Sequence, residues 1–150
     1  MSQPANINIL NKKASYEFSF LDKYVAGLQL TGTEIKSIRL GKANITDGFC
    51  VFVNGELIAR NLQINEYEKG THYNHEPKRD RKLLLNRHEL RKLENALKDQ
   101  GLTIVPLKLF INEKGWAKLE IALAKGKKLF DKREDIKKKD LQRETARKFK

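Results

Sequence analysis

The sequence predicts a mainly β domain, a small closed antiparallel barrel with helices packed on it, followed by a basic C-terminal tail. Runs rich in β-branched and aromatic residues recur through residues 1–124, and two of them are joined by Asn54-Gly55. Asn-Gly is the strongest short hairpin signal because both turn residues must take positive φ. A single long helical pattern, residues 86–100, interrupts the strands. Beyond Gly126 the apolar periodicity stops and charge takes over. A length of 150 residues suits one domain with a real core.

The elements follow in chain order. Tyr16-Glu17-Phe18-Ser19-Phe20 alternates with period two and predicts a half-buried strand. Residues 24–30 predict a second strand, with Gly27 marking a bend or bulge. Residues 33–40 read as a short helix: Ile35 and Ile38 lie three apart, and Gly41 stands where a helix stop belongs. Phe49–Val53 and Glu56–Arg60 form the arms of the Asn-Gly hairpin. In the long helix Asn86 is the cap, Glu89 follows three residues later, Leu90, Leu93 and Leu97 share a face, and Gly101 ends it. Leu102–Ile111 and residues 116–123 flank the loop Asn112-Glu113-Lys114-Gly115 as a second hairpin. This order of strands, helix and strands fits a five- or six-stranded barrel of the oligonucleotide-binding type.

Charge points to the partner. With 31 Lys and Arg against 19 Asp and Glu, the net charge is +12, and an excess of that size calls for a polyanion. It falls in two zones. Residues 125–150 carry 12 basic and 5 acidic residues, and residues 78–92 carry 7 and 2. One cysteine excludes a disulfide framework and fits a reducing, cytoplasmic setting. No apolar run approaches the ~20 residues of a membrane span, and the first residues lack the pattern of a secretory signal. The tail's sparse Ile136, Leu141, Ala146 and Phe149 form no core-facing stripe. A segment of this kind is disordered when free and helical when bound, unless it is simply a solvated charged run.

Catalytic chemistry finds no support. His72, His75 and Glu76, with His88 further on, are unaccompanied by the Cys pair or the spacing of a zinc site. Cys50 lies mid-strand, where a small buried hydrophobe is expected. No Gly-rich phosphate loop and no diagnostic pair of acids occurs. The expectation is therefore no catalytic residues, no metal and no cofactor. Nucleic-acid binding fares better, since basic residues interleave with aromatic and aliphatic ones. Leu83-Leu84-Leu85 is too apolar to be all exposed, so core packing is the expectation for each of them, Leu84 included, while at least one could face a nucleotide ring.

Several strings together resemble one family. They are Gly32-Thr33-Glu34-Ile35-Lys36-Ser37-Ile38-Arg39, Gly41-Lys42-Ala43-Asn44-Ile45, Asn74-His75-Glu76-Pro77, Arg81-Lys82-Leu83-Leu84-Leu85 and Ala122-Leu123-Ala124-Lys125-Gly126-Lys127-Lys128, followed by Asp131-Lys132-Arg133. In this order and spacing they are similar to the SsrA-binding proteins (small protein B), bacterial partners of transfer-messenger RNA. The resemblance runs from about Leu10 to the C-terminus. It implies a barrel related to the oligonucleotide-binding (OB) fold and a non-enzymatic RNA delivery factor for ribosomes stalled on broken messages. The implied RNA-facing set is Asn11, Leu84, Lys118, Gly126, Lys127 and Lys128, and Asp131, Lys132 and Arg133 are implied to serve on the ribosome. The implied partners are transfer-messenger RNA and the ribosome, at the small-subunit decoding centre and mRNA channel. The resemblance further implies that elongation factor Tu and alanyl-tRNA synthetase are reached indirectly through the RNA and that the protein is a monomer. The family's carboxylate before its Ala-Gly pair is replaced here by Val25, and Leu141 stands where some relatives carry an aromatic residue. The expected division is an N-terminal extension over residues 1–9, an RNA-binding barrel over 10–128 and a tail over 129–150 that becomes helical on the ribosome. Two competing readings are a general single-strand or ribosomal RNA binder and a nuclease built on His72, His75 and Glu76.

Overall fold

The fold comes from a computed structural model and is described for residues 7–70, 74–99 and 101–127. The chain opens with β1 (Asn8–Leu10) and turns at Asn11 into the short helix α1 (Lys12–Glu17). The side-chain oxygen of Asn11 accepts the Ala14 amide at 3.2 Å, a capping bond that satisfies one of the helix's free donors. This helix takes Tyr16 and Glu17 from the strand expected over Tyr16 to Phe20, whose remaining residues are extended as expected. Lys, Ala and Glu favour helix once a cap is in place, and Ala14 is buried while Tyr16 stays exposed. The chain becomes extended at Phe18 and continues as one strand, β2 (Phe18–Leu28), where two were expected. The bulge in β2 falls between Phe20 and Asp22, not at Gly27.

Next comes α2 (Gly32–Arg39), started by a reciprocal capping box between Thr31 and Glu34 and followed by Gly41 at φ 75°. The short β3 (Ala43–Asn44) precedes the hairpin β4 (Phe49–Val53) and β5 (Glu56–Arg60), whose turn residues Asn54 and Gly55 take φ 53° and 80°. After β6 (Gln63–Ile64) the chain reaches β7 (Arg81–Leu84), a strand with no local signal of its own. The capped helix α3 (Arg87–Ala96) and the long pair β8 (Leu102–Ile111) and β9 (Ala117–Gly126) complete the order.

Six strands form a ring in the order β4, β5, β7, β2, β9, β8, all antiparallel neighbours. The ring closes through one bridged pair, Cys50 with Ile104. The strand β1 extends the far half of β8, and β3 and β6 pair apart from the ring. Inside lie Leu57, Leu83, Ile104, Leu109, Leu119 and Ile121, with Ile38 from α2 and Leu93 from α3, all fully buried. Each such side chain contributes about 1.5–3 kcal/mol relative to exposure. A smaller apolar cluster lies elsewhere: Ala14 of α1 packs with Val105, Ala122 and Ala124 of the β8–β9 pair. These residues of β9 are therefore covered on both faces, while Lys118 and Glu120 are only partly buried.

Candidate nucleic-acid interface

Strand register assembles the surface. Residues directly opposite each other in an antiparallel pair project on the same side. Leu84 pairs with Gly27, Gly27 with Lys118, Lys118 with Phe110 and Phe110 with Asn8, so one row crosses β7, β2, β9, β8 and β1. The adjacent row is Val25, Glu120, Lys108 and Leu10. The ammonium of Lys108 sits 5.0 Å from the centre of the Phe110 ring, in cation–π range.

Gly27 is the floor of the first row. A Cβ placed there would stand 3.4 Å from the Leu84 Cβ and 3.8 Å from the Lys118 Nζ. Leu84 and Lys118 therefore approach each other over a residue that adds no side chain. Leu84 is 48% exposed, whereas Leu83 is 1% exposed and fills the core. The alternation of β7 thus turns Leu84 outward, and the core reading of Leu84 fails. Among the described residues Lys118 makes no ion pair.

Trp116 lies two positions before Lys118 and is 65% exposed. Its backbone is pinned by Asn112, whose side-chain oxygen accepts the Trp116 amide at 2.9 Å and whose own amide donates to the Trp116 carbonyl at 2.9 Å. Gly115 supplies the positive φ of 85° that this turn needs. Sequence reasoning passed over Trp116 as a functional residue. The available signal was the chain's only tryptophan, placed beside a turn and two residues from a lysine.

Asn11, Gly126 and Lys127 form a separate group around α1. Asn11 is buried, and its side-chain amide donates to the Pro106 carbonyl at 2.8 Å. Gly126 pairs with Phe18. The Lys127 amide donates to the Glu17 carbonyl at 2.9 Å, and its Nζ donates to the Ser15 carbonyl at 2.9 Å. The end of β9 is thereby fastened to the carboxyl end of α1, where a cation is favourable. Lys128, Asp131, Lys132 and Arg133 lie outside the described residues.

Behind the surface, α2 is tied to β7 and the segment before it. Glu34 accepts from Arg79 Nη2 at 2.7 Å and from Arg81 Nε at 2.8 Å. Burial alone would raise its pKa, but the Arg79 hydrogen bond, the Thr31 amide and the Arg81 charge lower it to about 2. Arg81 also donates to the carbonyls of Leu62 and Pro77 at 2.8 and 3.1 Å.

The nuclease reading loses its central member. His75 is buried, with Nε2 2.8 Å from the Ile64 carbonyl and Nδ1 2.9 Å from the Thr33 hydroxyl. A carbonyl can only accept, so Nε2 carries the proton and both ring nitrogens are engaged within the fold. Glu76 is exposed, and His72 lies outside the described residues. Cys50 is buried, and burial pushes its thiol up to about 12, far from a usable thiolate. No described helix is long and apolar enough to cross a membrane.

Comparison with known proteins agrees with this geometry. The family model described as SmpB protein matches residues 8–150. The SsrA-binding protein of Phocaeicola vulgatus is 61% identical over 148 residues, spanning 99% of both chains. That of Moorella thermoacetica is 50% identical over 137 residues, covering 91% of this chain and 88% of its own. A solved chain described as "tmRNA-SmpB: a journey to the center of the bacterial ribosome" superposes with TM-score 0.71 at 44% identity, over 94% of this chain and 95% of that one.

Proposed function

The chain belongs to the SmpB protein family, and from that premise we propose that it binds the tRNA-like domain of transfer-messenger RNA and delivers it to stalled ribosomes for trans-translation. The observation that carries this reading is the row Leu84–Gly27–Lys118. An exposed aliphatic side chain and an ammonium without an ion pair among the described residues meet there on an open strand surface. Such a surface packs an unpaired base against the leucine while the lysine meets phosphate. The role is binding and delivery, with no bond made or broken by the protein.

The remaining residues divide by position. Asn11 acts through placement, since its buried amide holds α1 in register with β8. Gly126 and Lys127, with Lys128 beyond them, form the root from which the tail departs. The tail, residues 129–150, carries Asp131, Lys132 and Arg133 into the ribosome and becomes helical in the vacant mRNA channel, sensing that no message is there. The barrel, residues 10–128, stays with the RNA as a monomer in the cytoplasm. Elongation factor Tu and alanyl-tRNA synthetase meet the complex through the RNA.

Competition binding tests the reading. Labelled transfer-messenger RNA should resist equal excesses of tRNA and of unstructured RNA. Equal displacement by all three would make the protein a general RNA binder.

A further inference from the structure

The row of Leu84, Gly27 and Lys118 forms one wall of a groove that extends beyond it to α2 and Trp116. It has a volume of about 530 Å³ and is bounded by the end of β2, by α2 and by the β8–β9 turn. Leu30, Ile35, Leu84 and Trp116 supply apolar lining, and Arg39 and Lys118 supply its charge. No acidic residue lines it, and neither Arg39 nor Lys118 is ion-paired among the described residues. Arg39 Nη2 lies 3.8 Å from where a Cβ on Gly115 would stand, so the guanidinium reaches across to the turn that presents Trp116.

Resting on the RNA-binding reading above, we infer that this groove seats one unpaired nucleobase of the bound RNA, stacked on Trp116, with its flanking phosphates held by Arg39 and Lys118. The chemistry of the lining selects this occupant. A solvent-exposed indole is a large π face that any base can stack on. Two cations in a lining that holds no acidic residue match the phosphates that flank a base. A volume within the ~300–1,000 Å³ range of small-molecule sites holds a base with room to spare. Leu84 is shared by the groove and the row, so the seated base continues the same contact surface.

The test uses the full chain and transfer-messenger RNA, with Trp116 as the only tryptophan and hence an unambiguous reporter. Adding the RNA should quench Trp116 emission and shield it from acrylamide. Trp116→Ala should weaken binding roughly 5- to 150-fold, about 1–3 kcal/mol at 1.4 kcal/mol per decade, with the salt dependence unaltered. Trp116→Phe should stay within about threefold of the parent, because an aromatic face remains. Arg39→Gln should reduce the slope of log affinity against log salt by about one. Unaltered emission in the parent chain, or Trp116→Ala binding as tightly as the parent, would overturn the base seat. So would an emission change that appears only with ribosomal subunits and not with RNA. These outcomes leave the broader reading standing, which fails instead if the parent chain does not prefer transfer-messenger RNA to tRNA.

Discussion

Glu34 and Arg81 form an ion pair at 2.8 Å with neither side chain exposed to solvent. One sits on α2 and the other opens β7, 47 residues later. Arg79 adds a second guanidinium at 2.7 Å from the same carboxylate. This pairing holds β7 against α2 and so fixes the strand on which Leu84 is displayed.

Replacing Glu34 by Gln should therefore cost stability, not RNA chemistry. It leaves Arg81 buried without its counter-charge, a change that costs about 3–5 kcal/mol when one partner of a buried pair is removed. Denaturant unfolding measures the loss. A cost under about 1 kcal/mol would mean that the carbonyls of Leu62 and Pro77 suffice for Arg81.

The same pair sets an acid limit. Glu34 titrates at about 2 in the fold against an ordinary 4.5. Its contribution is complete above pH ~4.5 and is lost as pH falls towards ~2, a loss of about 3 kcal/mol. Unfolding free energy followed from pH 6 to pH 2 should fall steeply in that window for the parent chain. In Glu34→Gln the part of the slope due to this carboxyl should vanish.

Leu84→Ala separates stability from binding. A buried leucine would cost ~2–5 kcal/mol of stability. Leu84 is 48% exposed, so the expected loss is under about 1 kcal/mol, while RNA binding weakens by about 1–3 kcal/mol. Thermal melts alongside binding isotherms decide the case, and a large drop in melting temperature with unchanged affinity would reverse it.

Gly27→Ala probes the floor between Leu84 and Lys118. A Cβ at 3.4 Å from Leu84 and 3.8 Å from the Lys118 Nζ is an ordinary van der Waals contact. The variant should fold with near-parent stability and bind RNA about tenfold more weakly, about 1.4 kcal/mol. Unchanged affinity would show that the RNA does not approach the backbone there.

Removal of residues 131–150 should leave the melting temperature and most RNA affinity intact while abolishing tagging of stalled peptides on ribosomes. The contacts that fasten the end of β9, Lys127 on Ser15 and Glu17, precede the removed segment. A truncated chain that fails to fold would assign the tail a structural part.

What the sequence disclosed was local. The Asn54-Gly55 hairpin, the Asn86 capping box and the pair β8–β9 each have their signal within a few residues, and each is found at its expected place. The helix α1 was missed because its apolar contact is Ala14 against Val105, Ala122 and Ala124, some hundred residues away in sequence. Period-two alternation at Tyr16 to Phe20 gave the right element from Phe18 onward but started it two residues early, over the end of α1. The strand β7 was not foreseen because Arg81 reads as surface until its distant partner Glu34 is known. For the interface, Leu84 is singled out by its place between a basic cluster and a capped helix and by the family resemblance, while the leucines beside it argue for the core. Gly27 opposite Lys118 depends on register, and the groove that Trp116 shares with Arg39 depends on the packing of α2, neither of which is encoded locally.

The strand β9 also works as a gauge. Lys118 stands near one end and Gly126 at the other, eight residues on, a span of about 26 Å at ~3.3 Å per residue. Because Lys127 is clamped to α1, the chain leaves β9 at a fixed offset from the row of Leu84, Gly27 and Lys118. Losing a single residue within this strand would shorten the offset by only ~3.3 Å, yet it would invert the strand's alternation and turn one of its ends inside out. Length and facing are thus locked together, and the distance between the two ends of β9 can change only at the cost of the fold.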